Sequence, residues 1–337
     1  MDARLRPGRP WRRPGAGPCG ARRRQLWRRG MHYFPDEPCV PEQQQATAVM
    51  HLRFEDVSQN GQVMLDALPH GLGPAVWVKL LRASPVEALM LTQGIVPILT
   101  RLIIEGGEGP IATREPLELQ GRYQLAHTED ATSQVNRLIL AMWLSASGRR
   151  SRTYGPPPPG AGEPIQVGRV FAEHVFTRPF APPEARKVLR FESPDLPAVP
   201  PERYDFRSPE ALMGLPEGAE PLDAKPTLDP IPVAFGLDHT DGNQHVNSLV
   251  YPRLFAEAAL RRLSAQGHST AVLARRVEVA YRKPCFAGTQ ARIMLRTFTL
   301  GGALGALGAF VPEAPEDPAS AAPGARAYCY IRTLFQG

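Results

Sequence analysis

Hydrophobic and polar positions alternate with a period of two along much of the chain, which indicates half-buried antiparallel strands. In the clearest case, Val277, Val279 and Tyr281 alternate with polar or small residues. Helical spacing of apolar residues occurs around 75–91 and over 251–265, where Pro252 is tolerable only within the first turn. The same pattern predicts further strands at 63–69, 95–105, 117–127, 135–146, 165–176, 291–296, 302–311 and 325–335.

These elements follow the same order in both halves of the chain: a strand, a helix and then a four-stranded meander. One helix wrapped by a curved antiparallel sheet is the hotdog arrangement. Two such units in tandem could join their sheets and cover each other's edge strands. The pattern therefore predicts an α+β fold, a tandem (double) hotdog, with a generic pair of α+β domains as the alternative.

Proline and glycine divide the chain into four parts. We expect a disordered, basic and proline-rich segment at 1–50, a first hotdog repeat at 51–178, a proline-rich connector at 179–228 and a second repeat at 229–337. The connector should be extended, with a short helix near Pro209 to Met213. A further interruption at 311–325 predicts a long hairpin loop.

Charge is distributed unevenly along the chain. The net charge is +6, but residues 1–30 hold ten Arg and one Asp, so the remainder carries +6 minus +9, or −3. A basic tail of this kind could be a nucleic-acid-binding arm or an extended translation start ahead of Met31. The mildly acidic remainder argues against a nucleic-acid partner. No apolar run approaches the ~20 residues of a membrane span, so we expect a cytoplasmic protein.

Candidate chemistry is concentrated in the segment 235–259, FGLDHTDGNQHVNSLVYPRLFAEAA, where a strand gives way to a helix. Asp241, Asn243 and His245 would lie just ahead of a helix N-terminus, which favours developing negative charge on a carbonyl oxygen. Asp241 could act as general base or nucleophile, His245 could position water or shuttle the proton, and Asn243 could orient either partner. Alternatively these residues simply form the turn, with Asn247 or Ser248 as the helix N-cap.

The exact string resembles the signature of acyl-acyl-carrier-protein thioesterases, D-x-N-x-H-V-N-N with a downstream Y-x-x-W-x-x-E. The resemblance implies a double hotdog that hydrolyses long-chain acyl thioesters on acyl carrier protein to free fatty acid, with no cofactor and no metal. It also implies that the first repeat shapes the acyl pocket. By position it assigns Asp241, Asn243 and His245 as catalytic and Asn247 and Tyr251 as substrate-binding, and the match also includes Val246 and Glu257.

The chain departs from that signature at several positions. Ser248 and Leu254 replace an Asn and a Trp, and Pro284 replaces a catalytic Glu beside Cys285. Glu257 or Glu278 could supply the missing carboxylate. We interpret Cys285 as a packed residue, because a lone Cys on a strand is more often packed than nucleophilic.

The two repeats differ in their candidate chemistry. His70, at the corresponding point of the first repeat, lacks an Asn at the needed spacing, so we expect that repeat to be non-catalytic. The second repeat could receive an acidic carrier protein or the phosphates of CoA, although a solvated basic face would look the same. Its basic residues are Arg261, Arg262, Arg275, Arg276, Arg282 and Lys283.

Two other functions are compatible with the same motif. An (R)-specific enoyl-thioester hydratase of hotdog fold carries a motif like D-x-N-P-x-H, with one residue more between Asn and His. A non-catalytic acyl-binding accessory protein is suggested by Pro284. The sequence predicts a thioesterase acting on acyl carrier protein or CoA thioesters and leaves open whether the chain forms a homodimer.

Overall fold

The computed structural model describes residues 34–82, 84–313 and 327–336. Its helices are a π-helix, Gly73–Leu81, and two α-helices, α1 (Pro85–Gln93) and α2 (Val250–Ala265). None of the helices in this part of the chain is long and apolar enough to cross a membrane. The strands are β1 (Gln45–Met50), β2 (Val96–Gly106), β3 (Leu117–Glu129), β4 (Val135–Arg149), β5 (Pro164–Thr177), β6 (Glu220–Pro221), β7 (Thr227–Leu228), β8 (Val233–Ala234), β9 (Leu273–Tyr281), β10 (Gln290–Leu300), β11 (Ala303–Pro312) and β12 (Cys329–Gln336).

All twelve strands belong to one antiparallel sheet, in the order β1-β3-β4-β5-β2-β9-β12-β11-β10-β6, with β7 and β8 also paired to β10. The two halves meet where β2 pairs with β9, with Leu102 opposite Val279. β2 and β9, the first long strand of each half, therefore lie at the centre of the sheet, and each is paired on both sides.

The predicted four-stranded meander is wrong in its strand order. Only β3-β4-β5 and β10-β11-β12 are meanders, while β2 lies beside β5 and β9 lies beside β12. Each half thus places its first long strand on the far side of its three-stranded meander, where β2 and β9 pair with each other.

The inner face of the sheet packs against the helices and forms a core shared by both halves. Leu102 and Ile104 of β2 belong to this core, as do Val277 and Val279 of β9 and Phe255 of α2. The intervening residues face the opposite, outer side, where Ile103 belongs to a separate apolar cluster. This alternation is the period-two pattern read from the sequence.

The first half departs from prediction around its helix. The expected helix at 75–91 is interrupted, because Ser84 caps a new helix that starts at Pro85 and accepts the Glu87 N–H at 3.4 Å. The strand predicted at 63–69 is wrong. A 3-10 helix, Leu65–Gly71, occupies that segment, and its buried Leu65, Leu68 and Gly71 follow three-residue spacing.

Residues 34–50 are ordered, so the prediction of a disordered segment at 1–50 is wrong for this part. β1 pairs with β3, and the Trp143 indole N–H donates to the Pro35 carbonyl oxygen at 3.2 Å on the outer face. Residues 1–33 lie outside the described part of the chain, as does most of the loop predicted at 311–325.

The connector begins with Val188 and Phe191 in the inner core and, from about residue 204, crosses the outer face of the sheet. Its 3-10 helix, Pro209–Met213, confirms the short helix expected there. Leu212 of this helix is buried, and Arg332 of β12 donates to the Gly214 carbonyl oxygen at 2.6 Å. The connector therefore covers the sheet where the two halves join, so it is a packed layer of the fold.

Close approach of α2 to the sheet depends on Gly308 of β11. A Cβ at this position would lie 2.8 Å from Phe255 Cε2 and 2.9 Å from Leu295 Cα. We expect Gly308→Ala to lower the free energy of unfolding by about 1–3 kcal/mol, because the helix or strand must shift. Urea denaturation measures this, with Gly73→Ala as control, since nothing lies within 4 Å of a Cβ at Gly73. Equal stability of the two variants would contradict the predicted packing.

Candidate active site

The predicted catalytic residues lie on a small β-hairpin just ahead of α2. Thr240 and Val246 form an antiparallel bridge at its centre. The Asp241 N–H donates to the His245 carbonyl oxygen at 3.0 Å, and the Asn247 N–H donates to the His239 carbonyl oxygen at 2.9 Å. Side chains alternate across such a ladder, and Val246 is buried. Asp241 and His245 therefore share the opposite, outer face of the hairpin.

Asp241 also holds the hairpin turn closed. Its Oδ1 accepts the Asn243 N–H at 2.9 Å, and its carbonyl oxygen accepts the Gln244 N–H at 2.9 Å. Gln244 has a φ of 63°, the left-handed conformation that completes the turn. One oxygen of Asp241 therefore has the turn-forming role considered for this segment. Its other oxygen has no hydrogen-bond partner in the described part of the chain.

His245 is exposed and packs edge to face with Phe286, with 5.1 Å between ring centroids. Within the described ranges, no hydrogen bond joins its imidazole to Asp241 or Asn243, and the Asn243 side chain is exposed. The hairpin brings the three predicted residues together without linking their side chains. A proton could pass between them only through water or substrate.

The two predicted substrate-binding residues support the hairpin. Asn247 Oδ1 accepts the Leu249 N–H at 2.9 Å, a local turn that leads into α2. Tyr251 is buried, and its hydroxyl oxygen accepts the Cys285 N–H at 3.3 Å. Burial raises the pKa of the Tyr251 hydroxyl. These contacts supply no evidence for substrate binding by Asn247 or Tyr251, which stays a prediction.

The turn between β9 and β10 braces both ends of the hairpin segment. The Cys285 carbonyl oxygen accepts the Val246 N–H at 2.8 Å, and the Gly288 N–H donates to the Phe235 carbonyl oxygen at 2.7 Å. Cys285 itself is buried, and burial raises the pKa of its thiol. A buried thiol with a raised pKa is a poor nucleophile, which agrees with its interpretation as a packed residue.

Neither alternative carboxylate occupies the place of the missing Glu. Glu278 is buried on the outer face of the sheet in an ion pair with Arg101. Glu257 lies on an exposed position of α2. The suggestion that either residue replaces the carboxylate lost at Pro284 therefore finds no support in the geometry.

The basic residues of the second repeat are mostly paired within the protein. Arg261 binds Asp229 at 2.5 Å and Arg262 binds Asp223 at 3.2 Å. Arg276 pairs with Glu105, Arg282 pairs with Glu210, and Arg275 donates to the Gly107 carbonyl oxygen. Of the six, only Lys283 is exposed without a polar side-chain partner among the described residues. The predicted basic surface is therefore much weaker than the sequence indicates.

The first repeat has an equivalent hairpin, in which Val57 is bridged to Val63 and the Ser58 N–H donates to the Gln62 carbonyl oxygen at 2.8 Å. Ser58, Asn60 and Gln62 stand where the second repeat has Asp241, Asn243 and His245, so this hairpin lacks their carboxylate and imidazole.

His70, predicted at the corresponding point, lies instead near the end of the 3-10 helix Leu65–Gly71 and is exposed. Asp66 precedes it by the four residues that separate Asp241 from His245, but Leu68 stands where an Asn would be needed. His174 of β5 is buried and packs edge to face on Trp77 of the π-helix at 5.7 Å. Its burial lowers the imidazole pKa to about 4, which favours a neutral core residue.

Sequence reasoning missed a second histidine on the hairpin. His239 Nδ1 accepts the Gly236 N–H at 3.2 Å, and its ring lies 6.0 Å from that of Phe235. The available signal was its position two residues before Asp241, since period-two spacing places both on one face of an extended segment.

Two further observations concern ligands. Among the described residues, no group of three or more His, Cys, Asp or Glu side chains could hold a metal ion. A cavity of about 450 Å³ involves none of the predicted site residues. It is lined by Thr128, Glu129, Arg137, Arg203, Tyr204, Asp205 and Phe206.

The chain is similar in structure to solved thioesterases. An oleoyl thioesterase from Lactobacillus plantarum aligns over 87% of this chain and 96% of its own, with a TM-score of 0.54 and 12% identity. A 12:0-ACP thioesterase from Umbellularia californica aligns over 87% and 94%, with a TM-score of 0.51 and 13% identity. The sequence matches no family model and no curated protein. The likeness confirms the predicted α+β double hotdog and, at this identity, establishes the fold alone.

Proposed function

We propose that the chain hydrolyses acyl thioesters at the hairpin formed by residues 239–247. The observation that carries the proposal is that Asp241 and His245 share the outer face of this hairpin, just ahead of α2, in a double-hotdog fold. A helix N-terminus near the reacting carbonyl favours the negative charge that develops on its oxygen.

The two oxygens of Asp241 have different roles. Oδ1 is held by the Asn243 N–H, so Oδ2 is the atom open to accept a proton from water. The water oxygen attacks the thioester carbonyl carbon, and the tetrahedral oxyanion then collapses with cleavage of the C–S bond. His245 gives a proton to the departing thiolate, and the proton that Asp241 took from water passes through solvent to His245, which restores both groups.

Attack by Asp241 itself is the second route. Its carboxylate would form an anhydride with the acyl group as the thiolate leaves, and water would then hydrolyse that anhydride. Both routes require the same two side chains and release one thiol and one free acid per thioester.

For the substrate, we propose fatty acyl groups carried on acyl carrier protein or CoA, with the first repeat walling the acyl pocket. The motif at 241–247 favours acyl carrier protein as the carrier. Four of the six basic residues form ion pairs within the protein and Arg275 donates to a carbonyl oxygen, so Lys283 is the residue that stays most open to a carrier's anionic groups. Chain-length preference should be graded, because each buried methylene contributes only ~0.8 kcal/mol.

A non-catalytic acyl-binding role is the second candidate. It is favoured by Pro284 in place of a carboxylate and by the absence of a hydrogen bond between the imidazole of His245 and Asp241 or Asn243 within the described residues. The hydratase alternative has no supporting contact in the structure.

A single substrate panel separates the three functions. Purified protein is incubated with saturated and 2-enoyl thioesters of CoA and of acyl carrier protein. Free thiol is followed with a chromogenic disulfide, and the enoyl chromophore by its absorbance. Hydrolysis predicts thiol release from saturated substrates. Loss of the enoyl chromophore without thiol release would show a hydratase, and saturable binding with neither change would show a binder.

A further inference from the structure

We propose that His239 is a further catalytic residue of this site, donating a hydrogen bond from Nε2 to the oxygen of the thioester carbonyl as it becomes negative. This inference rests on the proposed hydrolysis. It concerns a side chain that lies outside the D-x-N-x-H motif.

The hydrogen bond from Gly236 fixes which nitrogen of His239 carries the proton. Nδ1 accepts the Gly236 N–H at 3.2 Å and therefore presents a lone pair. In a neutral imidazole the other nitrogen then bears the hydrogen, so Nε2 is a donor. The edge-to-face contact with Phe235, itself buried, fixes the ring plane.

The donor is open to a ligand. His239 is half-buried, and its Nε2 has no hydrogen-bond partner among the described residues. Because Nε2 is not fully buried, it reaches solvent. A donor fixed in direction and left without a protein partner suits a ligand oxygen.

The hairpin places this donor beside the proposed reacting groups. His239 lies opposite Asn247, and Asp241 lies opposite His245, across two main-chain hydrogen bonds. By alternation Asp241 and His245 belong to one face, and His239, which ends the 3-10 helix Leu237–His239, is diagonal to His245 across these hydrogen bonds. Diagonal neighbours on such a ladder are ~7–8 Å apart, a span that one tetrahedral intermediate with its attacking water can bridge.

If His239 had only a structural role, that role would depend on Nδ1, which accepts the Gly236 N–H. Two substitutions test the two nitrogens separately. In His239→Asn, an amide oxygen can still accept the Gly236 N–H, but no donor reaches the position of Nε2. In His239→Gln, the longer amide places an N–H near that position and gives up the Nδ1 contact.

We expect His239→Asn to lower kcat by about 10²-fold with little change in KM, as for loss of one oxyanion donor. His239→Gln should retain activity to within about tenfold of wild type, even where it melts at a lower temperature. The opposite ranking, with Asn active and Gln impaired, would show a structural role and overturn the proposal, as would full activity in both variants.

Two further arms keep this test separate from that of the proposed function. Long-range ¹H–¹⁵N spectra of the wild-type imidazoles report the tautomer without any turnover, and a proton on Nδ1 of His239 would overturn the proposal. His245→Ala is assayed alongside. If His245→Ala is impaired and both His239 variants are not, only the role of His239 fails. If none is impaired, the proposed site itself fails.

Discussion

Replacing Arg101 with Met should lower the free energy of unfolding by about 3–5 kcal/mol, the largest loss of stability expected in this fold. Arg101 is buried on the outer face of β2, where it pairs with Glu278 of β9 and donates to the Arg207 carbonyl oxygen at 2.7 Å. Glu173 of β5 lies 3.9 Å from its Nε. One side chain thus joins the two repeats and the connector. Its removal takes the ion-pair partner from two buried carboxylates, Glu173 and Glu278, of which Glu278 keeps Arg276 and Arg332 as neighbouring cations.

Urea denaturation of wild type and Arg101→Met measures this loss. Arg114→Met is the matched control, because Arg114 is exposed and its pair with Glu115 should contribute under 1 kcal/mol. Adding Glu173→Gln and Glu278→Gln to Arg101→Met should recover part of the stability, since the uncompensated charges are then gone. A change below 1 kcal/mol in Arg101→Met would contradict a buried network at the joint.

His174 should make the protein less stable in mild acid. The pKa of its imidazole is lowered from 6.5 to about 4, because burial disfavours the charged form. Between these values the unfolded chain binds a proton that the folded chain does not, so stability falls as pH decreases. The loss begins near pH 6.5 and is complete below about pH 4, where it reaches about 3 kcal/mol.

The measurement compares wild type with His174→Leu by urea denaturation at pH 7, 5.5 and 4.5. The free energy of unfolding of wild type should fall relative to the variant as the pH is lowered. His70→Gln is the control, since His70 is exposed and its difference from wild type should not follow this course. A difference between wild type and His174→Leu that stays constant with pH would show that His174 is not held neutral by burial.

Strands such as β9 and β10 could be predicted because apolar residues on their inner face alternate with polar or small residues on their outer face along a single segment. In β9 and β10 the residues that alternate in the sequence are those that alternate between core and outer face. The position of β2 beside β5 could not be predicted. β2 pairs with β5 and with β9, which is more than 150 positions away, and no local pattern reports pairings between such distant segments.

The prediction of disorder from composition was wrong for residues 34–50. Proline-rich sequence normally lacks the apolar surface needed to fold alone. Here the chain needs no core of its own, because β1 adds to β3 and Pro35 receives the Trp143 indole N–H. The ordering comes from contacts that the rest of the sheet supplies.

The candidate site was visible in part. The spacing of Asp241, Asn243 and His245 located the hairpin, since one short segment carries all three. The ion pairs of the surrounding basic residues could not be predicted, because their partners come from distant parts of the chain. Arg262, Arg276 and Arg282 pair with Asp223, Glu105 and Glu210. His239 was detectable by its spacing, but its hydrogen bond with Gly236 was not.

The central claim, that the hairpin at 239–247 is the hydrolytic site, is tested most directly by thiol release from a saturated acyl thioester. We compare wild type, Asp241→Asn, His245→Ala and Cys285→Ala, each at a temperature where all four are folded. Asp241→Asn and His245→Ala should each lower kcat by at least ~10²-fold, as expected for loss of an acid–base group, while Cys285→Ala should stay near wild type. Undiminished turnover in Asp241→Asn or His245→Ala, or a large loss confined to Cys285→Ala, would contradict the account.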